Sequence, residues 1–216
     1  PDMAVEYFKQ GLQNINTISV REKTAVGTVK AITGQDAIAV ADPTLLLDAR
    51  EWSKVLNDSM VPQEKYILLY VLKKSSYITE TALRIAKEKR LKVVRICRGA
   101  YRQDPKNSPI QNIMDAGPAE YLALFKNATM VMTNSFHGTV FSIQFNRDFY
   151  TIISRSANNN SRQIDLLSTL GIDRIKYTDT TFSEEPAIEW DIVNKRVEEY
   201  RMESINYLQK AINNEK

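Results

Sequence analysis

The segment Tyr66-Ile67-Leu68-Leu69-Tyr70-Val71-Leu72 is an apolar and aromatic run without a charged residue. A strand with one face in water alternates apolar and polar side chains, whereas a continuous apolar run is typical of a parallel strand covered on both faces. A helical pattern over residues 79–89 and a second apolar segment over residues 91–97 follow it. This order of strand, helix and strand predicts a parallel sheet with crossover helices.

The alternation continues toward the C-terminus. Gly117-Pro118 predicts the start of a helix that extends to about Asn127, because proline suits the first helical turn. The segment between the second strand and this helix, residues 99–114, is polar and is expected to be a loop. The later pattern predicts strands at 129–133 and 149–153 and helices at 138–145, 164–170 and 191–213. We therefore predict an α/β protein with a doubly wound, mostly parallel, Rossmann-like sheet.

The N-terminal side holds shorter elements. Its pattern predicts a helix from Ala4 to Leu12, strands at 15–20 and 37–41, and a helix at 22–32. Residues 57–64 are rich in turn-forming residues and show no periodic apolar face, so they are expected to be a linker. An amphipathic pattern begins almost at the first residue, and we therefore expect the chain to be a piece of a longer protein.

Bulk composition excludes several classes of protein. The net charge of the 216 residues is +3, too weak by itself to indicate a nucleic-acid partner. The single cysteine, Cys97, cannot form a disulfide within the chain and is expected to be a buried strand residue. No apolar run approaches the roughly 20 residues of a membrane span. No signal peptide precedes the first helical pattern, and we expect a cytoplasmic protein.

The candidate centre of function is Thr133-Asn134-Ser135-Phe136-His137-Gly138, which joins a predicted strand to a predicted helix and holds the only histidine. The start of a helix attracts anions through free amides and the helix dipole. Ser135 adds a hydroxyl, and Gly138 would let a ligand approach the backbone. His137 could donate to an oxyanion or move a proton, or it could be a helix cap or a satisfied core residue. The residues alone leave these alternatives open.

Other candidates also follow predicted strands or begin helices. Arg21 could bind a carboxylate or phosphate or form a surface ion pair. Asp42 is either a turn residue or a polar group at the same crevice. Arg162 lies in a first helical turn, where a nearby anion would explain a cation. Arg98 is the member of the basic segment 84–106 most suited to face the crevice. The rest of that segment is either a solvated surface or a contact for an acidic partner such as phospholipid.

Several chemistries have no motif in the chain. Cysteine and histidine do not form a metal-binding cluster, so no metal is expected. The seven glycines form neither a phosphate-binding loop nor a dinucleotide fingerprint. The Gly-x-Ser-x-Gly nucleophile motif is also missing from the sequence.

Four stretches taken in order resemble the polysaccharide pyruvyl transferase family. They are Ile18-Ser19-Val20-Arg21-Glu22, Asp42-Pro43-Thr44-Leu45-Leu46-Leu47, Gly117-Pro118-Ala119-Glu120-Tyr121-Leu122, and Thr133 to Gly138 continuing through Phe141-Ser142-Ile143. Asn160-Ser161-Arg162 fits as well. The first and third stretches are weak alone, the fourth is quite specific, and the ordered set spans most of the chain.

The resemblance implies a two-domain fold similar to the GT-B glycosyltransferases, with the site between the domains. On this interpretation residues 1–56 are the tail of the N-terminal Rossmann-like domain, and residues 57–64 are the linker. Residues 65–216 are the C-terminal Rossmann-like domain, closed by the helix at 191–213.

The implied reaction transfers pyruvyl from phosphoenolpyruvate to a sugar of a cell-surface polysaccharide as a cyclic ketal. No cofactor is required. The saccharide acceptor could be lipid-linked, which would bring the protein to the inner face of the membrane. The oligomeric state stays open.

The resemblance also assigns roles. His137 is the general acid/base or a phosphate ligand, and Arg21 clamps the carboxylate or phosphate. The amides around Phe136 to Thr139 hold the phosphate. Family members often carry an arginine where this chain has Ser135, so either Arg162 or Arg98 replaces it or the donor differs.

Two alternative functions are also consistent with the sequence. One is a GT-B-type glycosyltransferase that uses a nucleotide sugar, with Glu120 as a ribose contact. The other is a fragment without catalytic activity.

Overall fold

The computed structural model describes residues 2–97, 108–156 and 160–213. Its first unit is small: helix α1 (Asp2–Leu12), strand β1 (Ile18–Val20), helix α2 (Lys23–Thr33) and strand β2 (Ala37–Ala39). The two strands pair in parallel, with Ile18 opposite Ala37, and α2 is the crossover between them. Gly34 ends α2 at a φ of 75°, a left-handed conformation that suits glycine.

A connecting segment follows. It contains a 3₁₀ turn (Pro43–Leu45), helix α3 (Ala49–Ser53) and a second 3₁₀ turn (Asp58–Met60). The Asp48 carboxylate caps α3 by accepting hydrogen bonds from two backbone amides. The second turn lies inside residues 57–64, the predicted linker.

The second unit has six strands and five helices within the described residues. In chain order these are β3 (Tyr66–Tyr70), α4 (Ser76–Lys89), β4 (Lys92–Ile96), β5 (Ile110–Ile113), α5 (Pro118–Asn127), β6 (Met130–Thr133), α6 (Phe136–Gln144), β7 (Asp148–Ile153), α7 (Ser161–Leu170), β8 (Ile175–Tyr177) and α8 (Trp190–Ile212). The strand order is β5-β4-β3-β6-β7-β8, and every pair is parallel. This confirms the predicted doubly wound α/β fold. The order reverses between β3 and β6, so a crevice opens at their carboxyl ends.

Both faces of the six-stranded sheet are covered, which explains the apolar run in β3. Leu68 belongs to the core cluster that includes residues of α5, α6, α7 and α8 on one face, whereas Ile67 and Leu69 belong to the cluster that includes residues of α4 on the other. All three side chains are fully buried. Each such burial stabilises the fold by about 1.5–3 kcal/mol. The first face also includes Ala41 and Leu45, so the connecting segment packs into the core of the second unit.

Some element predictions were wrong. Residues 99–114 were expected to be a loop, but β5 lies within them. Its buried Ile110 and Ile113 flank the exposed Gln111 and Asn112, so no apolar run marks this edge strand. The short strand β8 was not predicted. Helix α4 begins three residues earlier than expected, at Ser76, directly after its N-cap Ser75. Cys97 is buried, as expected, but it lies one residue past the end of β4 and is not a strand residue. Within the described ranges, no helix is both long and apolar enough to cross a bilayer.

Candidate functional site

The start of α6 is a buried, internally bonded junction. The Ser135 hydroxyl accepts a hydrogen bond from the Gly138 amide at 3.3 Å, and the Ser135 carbonyl accepts one from the Thr139 amide at 3.0 Å. Thr133 Oγ1 accepts from the Ser135 amide and donates to the Tyr70 carbonyl on β3. These contacts fix the helix on β6. They also occupy two of the four amides predicted to hold phosphate, which leaves those of Phe136 and His137 for that role.

Gly138 has a packing role that differs from the sequence-based interpretation. A Cβ atom at this position would lie 2.3 Å from Thr133 Oγ1, too close for any side chain. Gly138 is buried, and glycine is therefore needed for the helix to approach the strand. Thr139 is buried as well and shares a hydrogen bond with Thr151 on β7. Neither side-chain position faces the surface.

His137 is the exposed residue of this junction, with 46% of its side chain accessible. Its Nε2 lies 3.8 Å from Oδ2 of Asp42. Arg21 Nη1 donates to the same oxygen at 2.5 Å. The structure thus brings together one predicted residue from the end of β1, one from beyond β2 and one from α6.

The Asp42 carboxylate is buried, with its side chain 2% exposed. Its Oδ1 accepts hydrogen bonds from the Thr44 amide at 3.0 Å and the Thr44 hydroxyl at 2.7 Å. Burial raises the pKa of Asp42, but the bonds from Thr44 and Arg21 and the charge of His137 outweigh it, and the pKa lies below its usual value. Asp42 is therefore a fixed anion at neutral pH.

Side chains of α6 and α8 hold the segment that carries this anion. Gln144 Nε2 donates to the carbonyls of Thr44 and Leu47 at 2.9 and 2.6 Å. Arg201 Nε donates to the carbonyl of Leu45 at 2.7 Å. The second unit therefore sets the position of a carboxylate that belongs to the connecting segment.

The start of α7 differs from that of α6. Asn160 does not cap the helix, because its side chain donates to a backbone oxygen just past β7. Ser161 Oγ donates to Glu22 Oε2 at 2.5 Å, and Arg162 Nε lies 3.3 Å from Glu22 Oε1. The Arg162 guanidinium also lies 5.2 Å from the centre of the Phe136 ring. The anion near Arg162 in this structure is thus a carboxylate of the first unit.

Two predicted residues lie apart from this cluster. Glu120, at the start of α5, accepts a hydrogen bond from Asn57 of the linker at 2.7 Å. Arg98 lies outside the described residues, so its predicted role stays a prediction.

Sequence reasoning assigned no role to Asn134, which connects the two loops of the crevice. Its Oδ1 accepts from the Leu72 amide and its Nδ2 donates to the Lys73 carbonyl, both at 2.8 Å. The same residue lines a cleft of about 520 Å³ on the α4 side of the sheet, which Lys73 and Lys74 also line. A polar residue directly after a buried strand was the available signal.

A family model described as polysaccharide pyruvyl transferase matches residues 1–156. The chain belongs to this family. The matched region of this pyruvyl transferase family member includes Arg21, Asp42 and His137 and ends before Arg162. No curated protein sequence matches the chain.

Solved structures similar to this family member include two glycosyltransferases and an epimerase, all at low identity. A glycotransferase of kitacinnamycin is 14% identical over 95% of this chain and 58% of its own, with a TM-score of 0.47. The glycosyltransferase SnogD from Streptomyces nogalater is 12% identical over 82% and 54%, with a TM-score of 0.47. UDP-GlcNAc 2-epimerase from Neisseria meningitidis is 10% identical over 89% and 54%, with a TM-score of 0.48. The chain spans less than two thirds of the length of each.

Proposed function

We propose that this protein transfers a pyruvyl group from phosphoenolpyruvate to two hydroxyls of a cell-surface polysaccharide sugar, forming a cyclic ketal. The observation that carries the proposal is the meeting of His137, Asp42 and Arg21 from three separate segments of a pyruvyl transferase family member. An exposed histidine beside a buried carboxylate is suited to proton transfer.

The donor has a phosphate and a carboxylate, so its site needs cations and free amides. Arg21 and Arg162 supply guanidinium groups, which match both anions in geometry. We assign the phosphate to the first two amides of α6 and the positive end of its dipole. Arg162 would then serve in place of the arginine that family members often carry at the position of Ser135.

The reaction requires two proton movements. The two sugar hydroxyls form bonds to C2 of phosphoenolpyruvate, and the bond from C2 to the phosphate oxygen breaks. One hydroxyl proton ends on the methylene carbon, which becomes a methyl group, and the other ends on the released phosphate. His137 is suited to carry a proton from a hydroxyl to the methylene carbon, and Asp42 stabilises the imidazolium formed on the way. The 3.8 Å separation is longer than a hydrogen bond, as is common before substrate binds.

The test is to incubate the purified protein with phosphoenolpyruvate and a panel of glycans and lipid-linked saccharides. We expect release of phosphate together with a pyruvyl mass increment on the acceptor. His137→Ala should lower kcat by about 10²–10⁴-fold, the usual contribution of a general acid/base. Because nearly half of the side chain is exposed, the free energy of unfolding should change by less than about 0.5 kcal/mol.

Glu88→Ala is the matched control, since Glu88 pairs with Arg84 on the surface of α4. It should retain wild-type turnover. Turnover of a nucleotide sugar without turnover of phosphoenolpyruvate would contradict the proposal in favour of a glycosyltransferase. Binding of phosphoenolpyruvate without turnover of any acceptor would indicate a non-catalytic module.

A further inference from the structure

Glu22 has no role in the reaction proposed above, yet both of its carboxylate oxygens are engaged at the start of α7. We infer that Glu22 is a positioning residue that holds the Arg162 guanidinium in place for an anionic group of the substrate. The identity of that substrate rests on the proposed function. The positioning itself rests on contacts between the first unit and α7.

The contacts form a short chain that leads to His137. Glu22 Oε1 lies 3.3 Å from Arg162 Nε, and Glu22 Oε2 accepts a hydrogen bond from the Ser161 hydroxyl at 2.5 Å. The Arg162 guanidinium lies over the Phe136 ring, whose centre is 5.4 Å from that of the His137 ring. Arg162 is thereby held between a carboxylate and an aromatic ring, close to the residue assigned to proton transfer.

The ion pair with Glu22 is formed at the Nε end of the guanidinium. An arginine has five N–H donors, and Glu22 contacts it through Nε. The two Nη atoms can therefore bind a carboxylate or phosphate in a forked geometry. A free arginine side chain has about 2 kcal/mol of rotamer entropy, so fixing it beforehand lowers the entropic cost of binding the anion.

A backbone hydrogen bond restrains the position of Glu22 and Arg162 more than is usual for a surface ion pair. The amide of Lys23 donates to the Asp165 carboxylate at 3.0 Å, which holds the turn after β1 against α7. The side chains of Glu22 and Arg162 are each 30% exposed. In comparison, Arg84 and Glu88 on α4 are 51% and 54% exposed and join residues of a single helix.

The dipole of helix α7 also favours a carboxylate that positions Arg162. An arginine in the first turn of a helix is disfavoured by the helix dipole, whereas a carboxylate near that end is favoured. Glu22 supplies the carboxylate from another segment and compensates for Arg162. The first turn of α7 has neither a side-chain cap from Asn160 nor an acidic residue of its own, and Glu22 places a carboxylate beside it.

The test is a double-mutant cycle with Glu22→Ala, Arg162→Ala and the double variant. Dissociation constants for phosphoenolpyruvate and for inorganic phosphate are measured by calorimetry, with KM and kcat measured alongside. We expect Glu22→Ala to weaken binding of phosphoenolpyruvate about tenfold while kcat changes less than threefold. Glu22→Gln, which keeps the acceptor oxygen, should restore part of the affinity. In the Arg162→Ala background, Glu22→Ala should have no further effect.

Three outcomes would overturn the inference. Unchanged affinity in Glu22→Ala would show that the contact is only structural, and tighter binding would show that Glu22 competes with the substrate. A loss of affinity that persists without Arg162 would exclude action through Arg162. Glu88→Ala is the control for loss of a surface pair. If Glu22→Ala does not fold, the isosteric Glu22→Gln replaces it in the cycle.

The two phosphate probes separate this inference from the proposed function. If the wild-type protein binds inorganic phosphate but does not turn over phosphoenolpyruvate, the proposed function is contradicted. The double-mutant cycle of Glu22 and Arg162 is then evaluated from the dissociation constants for inorganic phosphate. A wild-type protein that binds neither compound overturns both.

Discussion

The helix starts of α6 and α7 look alike in sequence and differ in structure. Each follows a strand of the same sheet, and each has a hydroxyl residue near its first turn. At α6 the Ser135 hydroxyl caps the helix and its neighbours are buried. At α7 the Asn160 side chain caps nothing, while Ser161 and Arg162 contact Glu22 of the first unit.

The comparison indicates that a buried helix start and a partly exposed one are suited to different roles at such a site. The α6 start is held by internal hydrogen bonds in a dry environment, so it presents His137 in one geometry. The α7 start is partly exposed and depends on a partner from another segment. The first is suited to orient a reacting group and the second to bind a charged one.

Among the variants that test this comparison, the one at Asp42, the carboxylate beside the start of α6, should have the largest effect. Asp42→Asn removes the charge next to His137 and Arg21, so an imidazolium is no longer stabilised. We expect kcat/KM to fall about 100-fold, or about 2.7 kcal/mol of transition-state stabilisation. Steady-state kinetics measures it. Asp36→Asn is the control, because Asp36 is an exposed partner of Lys30 near the end of α2 and should leave kcat/KM unchanged.

The pH dependence of stability tests the same carboxylate. The pKa of Asp42 is lowered in the folded protein, so its contribution is present above the ordinary aspartate pKa of about 3.9. That contribution is lost as the pH falls toward the lowered value. Asp42→Asn should therefore lower the free energy of unfolding by about 2 kcal/mol at pH 7. In urea titrations the deficit should shrink at pH 3, and a deficit independent of pH would rule out this electrostatic origin.

Gly138→Ala tests whether the α6 start is as rigid as its contacts indicate. The added Cβ meets Thr133 Oγ1 at 2.3 Å, so the helix must shift or the threonine must move. We expect Gly138→Ala to lower the free energy of unfolding by about 1.5 kcal/mol. The cost of overpacking is larger than this, but the higher helix propensity of alanine offsets part of it. Gly27→Ala in α2 is the matched control, because apart from its chain neighbours and the backbone of its own helix no atom lies within 4 Å of its Cβ position. It should stabilise the protein slightly. Equal effects of the two variants in urea would mean that the close contact is unimportant.

The smallest effect compares the two caps directly. Ser135→Ala removes the hydrogen bond to the Gly138 amide and should cost about 1 kcal/mol. Asn160→Ala removes no cap but loses the hydrogen bond to the Ser154 carbonyl, and we expect a smaller cost of about 0.5 kcal/mol. Thermal unfolding of both variants, compared with the wild type, gives the difference. A larger cost for Asn160→Ala would reverse our ranking of the two helix starts.

Much of the fold was predictable because local patterns decided it. The apolar run in β3 requires two covered faces, and Gly117-Pro118 marks the start of α5 by local backbone preference. The strand β5 was not predicted because it is an edge strand. Its sequence Ile110-Gln111-Asn112-Ile113 is too short and too polar to give a recognisable strand pattern.

Sequence patterns alone predicted four of the six strands of the second unit, its five helices and the position of His137 just after a strand. Only the tertiary structure decided what surrounds that histidine. Arg21 and Asp42 are 21 residues apart, and Ser161 and Glu22 are 139 residues apart. Local periodicity reports which face of an element is buried, but it carries no information on which distant segments meet. The partners of His137 and Arg162 depend on the packing of the connecting segment against α6, α7 and α8, and that packing exists only in the folded chain.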